Sequence, residues 1–143
     1  MASASPIDVA IALVWSDHRL LISRRVANVH LGGYWELPGG KCRSGETPEE
    51  CVVRETREEL GIEVEVIRAR PSIEHQYAER RVKLYPFDCV CLEGRPEARE
   101  AACCRWIEVS DLSRYKFPPA NASLLADLAN EGAPGAEVMR GIG

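Results

Sequence analysis

The chain has 143 residues, 45% of them hydrophobic and 28% charged, which is enough for one domain around a single sizeable core. Its 22 Asp and Glu against 18 Lys and Arg give a net charge of −4 and exclude the basic stripe that a nucleic-acid polymer needs as a partner. The opening MASASPID lacks the charged-then-apolar pattern of a signal segment, and no apolar run approaches the roughly 20 residues that span a bilayer; no membrane association is expected, and a cytoplasmic location is.

Ile7 to Trp15 is a β-rich run, and Ser16-Asp17-His18 reads as a turn into a second strand, Arg19 to Arg25. Val26 to Gly33 reads as a loop, and Tyr34 to Leu37 as a short extended piece. The segment from Gly40 to Ile62, GKCRSGETPEECVVRETREELGI, is the most informative part of the chain. Thr47 is suited to the N-cap, Glu50 completes a capping box, Pro48 fits the first helical position and Gly61 the left-handed stop. The helix between them, about thirteen residues, makes between three and four turns. Glu55, Glu58 and Glu59 stand at i, i+3 and i+4 and therefore share one side, whereas Val52, Val53, Thr56 and Leu60 fall on another that can pack on a core.

Three like charges at this spacing destabilise a helix by a few tenths of a kcal/mol per pair unless something compensates them. Arg54 does so in part, being i−4 from Glu58, and a divalent cation would do so better. Glutamates on a helix are ordinarily a solvated face. The glycines of Gly39-Gly40 and Gly45-Glu46 argue otherwise, because they let carbonyl oxygens turn inward. Carboxylates and carbonyls without Cys or His suit a hard cation, Mg²⁺ or Mn²⁺.

After the helix, Glu63 to Arg68 alternates as a half-buried strand. Val82 to Leu92 is the longest strand expected, with Pro86 requiring an edge position or a bulge. Gly94-Arg95-Pro96 marks a loop, Cys104 to Val109 a strand, Ser110-Asp111 a short helical turn and Ala122 to Asn130 a final helix. Gly132 to Gly143 reads as a mobile tail of the same single domain. The six cysteines show no Cys-x₂-Cys or zinc-type spacing, and free thiols are expected.

Gly40-x5-Glu46-x7-Arg54-Glu55-Thr56-x-Glu58-Glu59-x-Gly61-Ile62 resembles the complete signature of the Nudix hydrolases, departing from it only at Thr56, where the family usually has an aliphatic residue. The resemblance extends to most residues between Val9 and Leu128. Within the family, ISRRVANVH, YWELPGGK, RWIEV and FPPAN are similar to the MutT branch, which hydrolyses nucleoside triphosphates and removes 8-oxo-dGTP. The implied fold is α/β, an α/β/α sandwich around a mixed sheet with a catalytic loop-helix-loop.

The resemblance implies metal binding by Gly40, Glu55, Glu58, Glu59 and Glu100, with Glu97 competing for the role of Glu100. It implies that Arg54 orients the glutamates, that Glu46 holds the loop, and that Glu58 or Glu100 is the base. Asn121 becomes the purine contact, against its simpler reading as the N-cap of the last helix. Arg25, His30 and Arg80 match positions near the nucleotide, against readings as solvated charges. Leu37 stands where a larger apolar side chain often packs on the base. The implied substrate is a nucleoside triphosphate, cleaved with Mg²⁺ (or Mn²⁺) to a monophosphate and pyrophosphate. Two rivals remain at this point: an enzyme for CTP or a modified pyrimidine nucleotide, and a Nudix-like domain that binds without catalysis. The oligomeric state stays open, a monomer being compatible with the sequence.

Overall fold

Strand β1 (Ile7–Ser16) shows how the sheet is built. Ala10, Ala12 and Val14 join one core with Leu21, Val52, Leu60 and Phe87, while Ile11, Leu13 and Trp15 join a second with Leu20, Ile22, Leu124 and Leu128. A strand reads as continuously apolar when both of its faces are covered. The computed structural model describes residues 5–28, 32–77 and 79–134.

The other strands are β2 (Arg19–Arg24), β3 (Trp35–Glu36), β4 (Gly39–Lys41), β5 (Glu63–Ala69), β6 (Ile73–Tyr77), β7 (Arg80–Glu93) and β8 (Cys103–Glu108). They form one mixed sheet in the order β3-β2-β1-β7-β5, with β4 added to β1, β6 to β7 and β8 to β2. β1 and β7 run parallel, from Ile7 opposite Val82 to Trp15 opposite Val90. The remaining strand pairs are antiparallel. Helix α1 (Pro48–Leu60) covers one face through Cys51, Val52 and Leu60, and helix α2 (Ala122–Glu131) covers the other through Leu124 and Leu128. This is the expected α/β/α sandwich. No helix among the described residues is long and apolar enough to cross a membrane.

Helix α1 begins and ends where the sequence places it. The Thr47 hydroxyl accepts from the Glu50 N–H at 3.1 Å, the Glu50 carboxylate accepts from the Thr47 N–H at 2.9 Å, and Gly61 closes the helix at φ +68°. Thr56 is fully buried, and its hydroxyl donates to the Val52 carbonyl at 2.8 Å, so the polar atom costs little there.

The extended piece expected at Tyr34 to Leu37 is strand β3. Strand β4, after Leu37-Pro38, was not expected. Strand β6 was not expected, because IEHQY is mostly polar; it forms by pairing with the start of β7. Pro86 is not on an edge strand, for β7 has neighbours on both sides, and the irregularity expected of it lies close by, where the β5–β7 register shifts between Val66 and Arg68. The Pro86 carbonyl accepts from the Arg70 N–H at 2.9 Å, so its donorless nitrogen faces the gap where the chain passes from β5 to β6. The short helical turn expected at Ser110-Asp111 is present as a 3-10 helix, Val109–Arg114. Residues 135–143 of the expected tail lie outside the described residues.

Asp88, at the middle of β7, is fully buried and carries a charge network that the sequence did not reveal. It accepts from Trp15 Nε1 at 2.9 Å, from Arg68 Nε at 2.8 Å and from Arg70 Nε at 3.0 Å. Arg70 then donates to Glu131 at 2.8 Å and so ties α2 to the sheet.

Candidate active site

Two glycines bring the strand before α1 against its carboxylates. A Cβ at Gly39, whose φ is +150°, would stand 2.0 Å from the Ala10 carbonyl oxygen. A Cβ at Gly40 would stand 2.5 Å from the Glu55 carboxylate, which therefore rests on bare backbone. The Gly39 N–H points at Glu59 Oε2 from 3.4 Å, a long contact, and the Cys51 thiol donates to the Gly40 carbonyl at 3.5 Å.

Arg54 organises the polar side of the helix. It donates to Glu46 Oε2 from Nε at 2.6 Å and to Glu46 Oε1 from Nη2 at 2.9 Å, to Glu55 at 2.8 Å, to Glu58 at 3.0 Å and to the Lys41 carbonyl at 3.1 Å. The Arg54 hydrogen bonds hold the Glu46 carboxyl down to about 2, with the Arg43 N–H adding to the effect. Arg54 is itself shifted upward, first by its bond to Glu46. The forked pairing fixes loop to helix as a single unit.

Glu59 is the opposite case. Burial, then the charge of Glu36, pushes its carboxyl up to about 8, and Glu55 and Glu100 push the same way. Glu55 is also shifted upward, by burial first, and Arg54 opposes the shift. Glu100 is exposed, yet its charge acts on both Glu55 and Glu59. Glu97 is exposed as well and lies 4.0 Å from Arg99. Of these two glutamates, Glu100 is the one whose charge reaches the helix carboxylates.

A cavity of about 420 Å³ opens beside these groups. Its lining includes Glu59, Gly39 and Gly40, the Pro118, Ala120 and Asn121 segment, and the side chains of Leu37, Leu84 and Tyr77. Asn121 is 9% exposed and ends a 3-10 turn, Pro119–Asn121. It stands at the N-cap position of α2 but makes no capping hydrogen bond, since its backbone (φ −91°, ψ −6°) is already helical. Its carboxamide is left for the cavity.

The remaining expected residues divide. Arg25 lines the cavity and donates to Glu36 at 2.9 Å. Leu37 is buried in its wall. Arg80 is exposed at the start of β7, opposite Tyr77, and is not among the lining residues. His30 lies outside the described residues. Sequence reasoning missed Glu36 and Tyr77. Glu36 could have been noticed as the acid between buried Trp35 and Leu37; Tyr77 belongs to the strand that was not expected.

Among the described residues no three His, Cys, Asp or Glu side chains converge closely enough to hold a metal as they stand. Arg54 keeps Glu55 and Glu58 to itself, while Glu59 turns to Gly39. The donor chemistry nonetheless fits a hard divalent cation. The glutamates and the Gly40 carbonyl offer oxygens, the Gly40 cradle admits a carboxylate against its backbone, and Glu59 is a half-buried carboxylate with one long hydrogen bond. All six cysteines are free, and burial pushes the Cys51 and Cys89 thiols far up.

Known proteins resemble this chain over most of its length. Residues 9–127 match the NUDIX domain model. The chain is 32% identical over 123 residues to the 8-oxo-dGTP diphosphatase of Escherichia coli K12, covering 85% of this chain and 95% of that protein. It is 31% identical over 119 residues to the CTP pyrophosphohydrolase of the same organism, covering 83% and 88%. Among solved structures, the MutT NUDIX hydrolase from Burkholderia pseudomallei superposes with a TM-score of 0.75 at 28% identity, covering 86% of this chain and 98% of that one. The MutT protein from Methanosarcina mazei Go1 reaches 0.78 at 24% identity, covering 91% and 98%, and at that identity speaks for the fold.

Proposed function

The chain belongs to the Nudix family as a hydrolase of phosphorus anhydrides, and from that premise we propose that it is a Mg²⁺-dependent nucleoside triphosphate pyrophosphohydrolase whose preferred substrate is 8-oxo-dGTP. One observation carries the choice of base. Asn121 presents an uncapped carboxamide to the same cavity that takes in Glu59 and the Gly39-Gly40 backbone. Oxidised guanine has a proton at N7 where guanine has an acceptor. An amide oxygen facing that position favours the oxidised base, and the NH₂ group can donate to O6. Leaving such a partner unpaired costs about 1–3 kcal/mol, or roughly ten- to hundred-fold in selectivity.

Glu55, Glu58, Glu59 and the Gly40 carbonyl would hold the cation, with Glu100 beside them. When bound, a divalent cation supplies charge neutralisation at the phosphates as the P–O bond breaks. The rest falls to the chain. Arg54 orients Glu55 and Glu58, Glu46 fixes Arg54, and the cavity wall around Leu37 and Leu84 keeps water from the base. Glu58 or Glu100, both accessible to solvent, accepts the proton of the attacking water. The products are 8-oxo-dGMP and pyrophosphate, and the role is removal of oxidised nucleotides from the precursor pool before DNA synthesis.

The test is pyrophosphate release from 8-oxo-dGTP, dGTP, CTP and 5-methyl-dCTP, each with Mg²⁺, with Mn²⁺ and with chelator. The highest kcat/KM is expected for 8-oxo-dGTP with Mg²⁺. A higher value for CTP or 5-methyl-dCTP would overturn the base assignment, and undiminished turnover in chelator would overturn the metal requirement.

A further inference from the structure

Glu100 is carried by a loop, residues 94–102, that is fastened to the end of α1. The Arg99 N–H donates to the Glu59 carbonyl at 2.9 Å, the Glu97 N–H to the Leu60 carbonyl at 2.9 Å, and the Ala102 N–H to the Arg24 carbonyl at 2.8 Å. The first two bonds satisfy carbonyls that a helix terminus leaves without partners. The Arg99 guanidinium lies directly over Gly61: a Cβ there would be 2.7 Å from Cζ and Nη2 and 2.8 Å from Nε. On the other side of the same turn, a Cβ at Gly94 would be 3.0 Å from the Gly61 carbonyl oxygen.

Gly61 therefore serves two separable purposes. Its φ of +68° closes the helix, a conformation that Asn also adopts at modest cost. Its bare Cα leaves room for the guanidinium, which Asn does not. An ion pair does not account for the seat, since the Arg99–Glu97 contact is 4.0 Å, exposed and internal to the loop.

We propose that Arg99 is a positioning residue for Glu100: its guanidinium, seated on the bare backbone of Gly61, locks loop 94–102 onto the last turn of α1 and so holds the Glu100 carboxylate at the Glu55–Glu59 face. The proposal rests on reading Glu100 as part of the active site. It extends the purpose of the final glycine of the box from helix closure to catalytic alignment.

The test compares Arg99→Ala, Gly61→Asn, Glu100→Gln and the double variant Arg99→Ala/Glu100→Gln, on whichever nucleotide the unmodified enzyme hydrolyses fastest. Arg99→Ala is expected to lower kcat by roughly ten- to a hundred-fold, the scale of a small misplacement of a reacting group. KM stays unchanged, Tm moves little, and amide exchange at Glu97 and Arg99 accelerates. Gly61→Asn reproduces this pattern by displacing the guanidinium, and Arg99→Ala adds nothing further to Glu100→Gln. Normal kcat for Arg99→Ala alongside a lowered kcat for Glu100→Gln would overturn the seat while leaving Glu100 in the site. Normal kcat for Glu100→Gln would remove Glu100 from the reaction and the proposal with it, even if amide exchange still showed that the loop had loosened.

Discussion

One guanidinium holds both carboxylate oxygens of Glu46, with Arg54 donating from Nε to Oε2 and from Nη2 to Oε1. This fork joins the loop to the helix while Nη1 of the same group reaches Glu55 and Glu58. Lysine offers the charge but no fork. Arg54→Lys is expected to lower kcat about a hundred-fold, as positioning losses do, with a smaller fall in Tm. Glu46→Gln should lose less of both, since it still accepts one bond. Steady-state kinetics and thermal melts of the two variants check the order, which would be reversed if Glu46 and not Arg54 were the organiser.

Glu59→Gln keeps the shape and removes the charge. Turnover with Mg²⁺ is expected to fall by more than about a hundred-fold, beyond the usual loss for an outer-shell partner. The metal-free protein should behave in the opposite way. Glu59 has a folded pKa of about 8 against an ordinary value near 4.5, so the folded state holds the extra proton. That contribution to stability is complete below about pH 4.5 and is lost as pH rises through 8. In chelator, Tm should therefore decline across this window in the unmodified protein, and the decline should be shallower in Glu59→Gln. Melts at several pH values decide it; parallel profiles would mean that folding does not raise the Glu59 pKa.

Asn121 separates base recognition from helix capping. Asn121→Ala should cost about 1–3 kcal/mol in kcat/KM for 8-oxo-dGTP and less for dGTP. Because no capping bond exists to be lost, stability should change by less than the typical value of about 1 kcal/mol for a lost cap. Asn121→Asp should also lose selectivity, having no amide to donate. Equal losses on both nucleotides for Ala, with Asp fully active, would return Asn121 to a purely structural role.

Asp88 is expected to matter for folding rather than for turnover. Its removal as Asp88→Ala leaves Arg70, whose side chain is 8% exposed, with Glu131 as its remaining acid partner, and should cost about 3 kcal/mol in urea unfolding. Asp88→Asn, which still accepts from Trp15, should cost less. A variant as stable as the parent would show that solvent reaches Arg70 once the carboxylate is gone.

Helix α1 and its caps were legible because each signal there is local: a hydroxyl, a glutamate three residues on, a proline, a glycine. The glutamate spacing was legible for the same reason. Strand β6 was not, since IEHQY has no apolar periodicity and exists only through its partner strand. Asp88 was hidden because it bonds to Trp15, 73 residues earlier in the chain. Asn121 was readable as either cap or ligand, and only the backbone geometry, which sequence does not encode locally, shows that no capping bond is made. The cysteines were read correctly as free, for none has the spacing of a metal or disulfide framework.

The two faces of β1 have a bearing on how such enzymes diverge. In the proposed assignment the carboxylates for cleavage come from α1, which packs on Ala10 and Ala12, whereas Asn121 comes from the turn before α2, which packs on Ile11 and Leu13. The pleat separates the two sets by a single residue step. Substitutions that reshape the base-binding end need not be transmitted to the cleavage apparatus, because they are accommodated in a different core. A lineage can in this way exchange one nucleobase for another while its phosphorus chemistry stays untouched, and a protein engineer can do the same by confining changes to the α2 side.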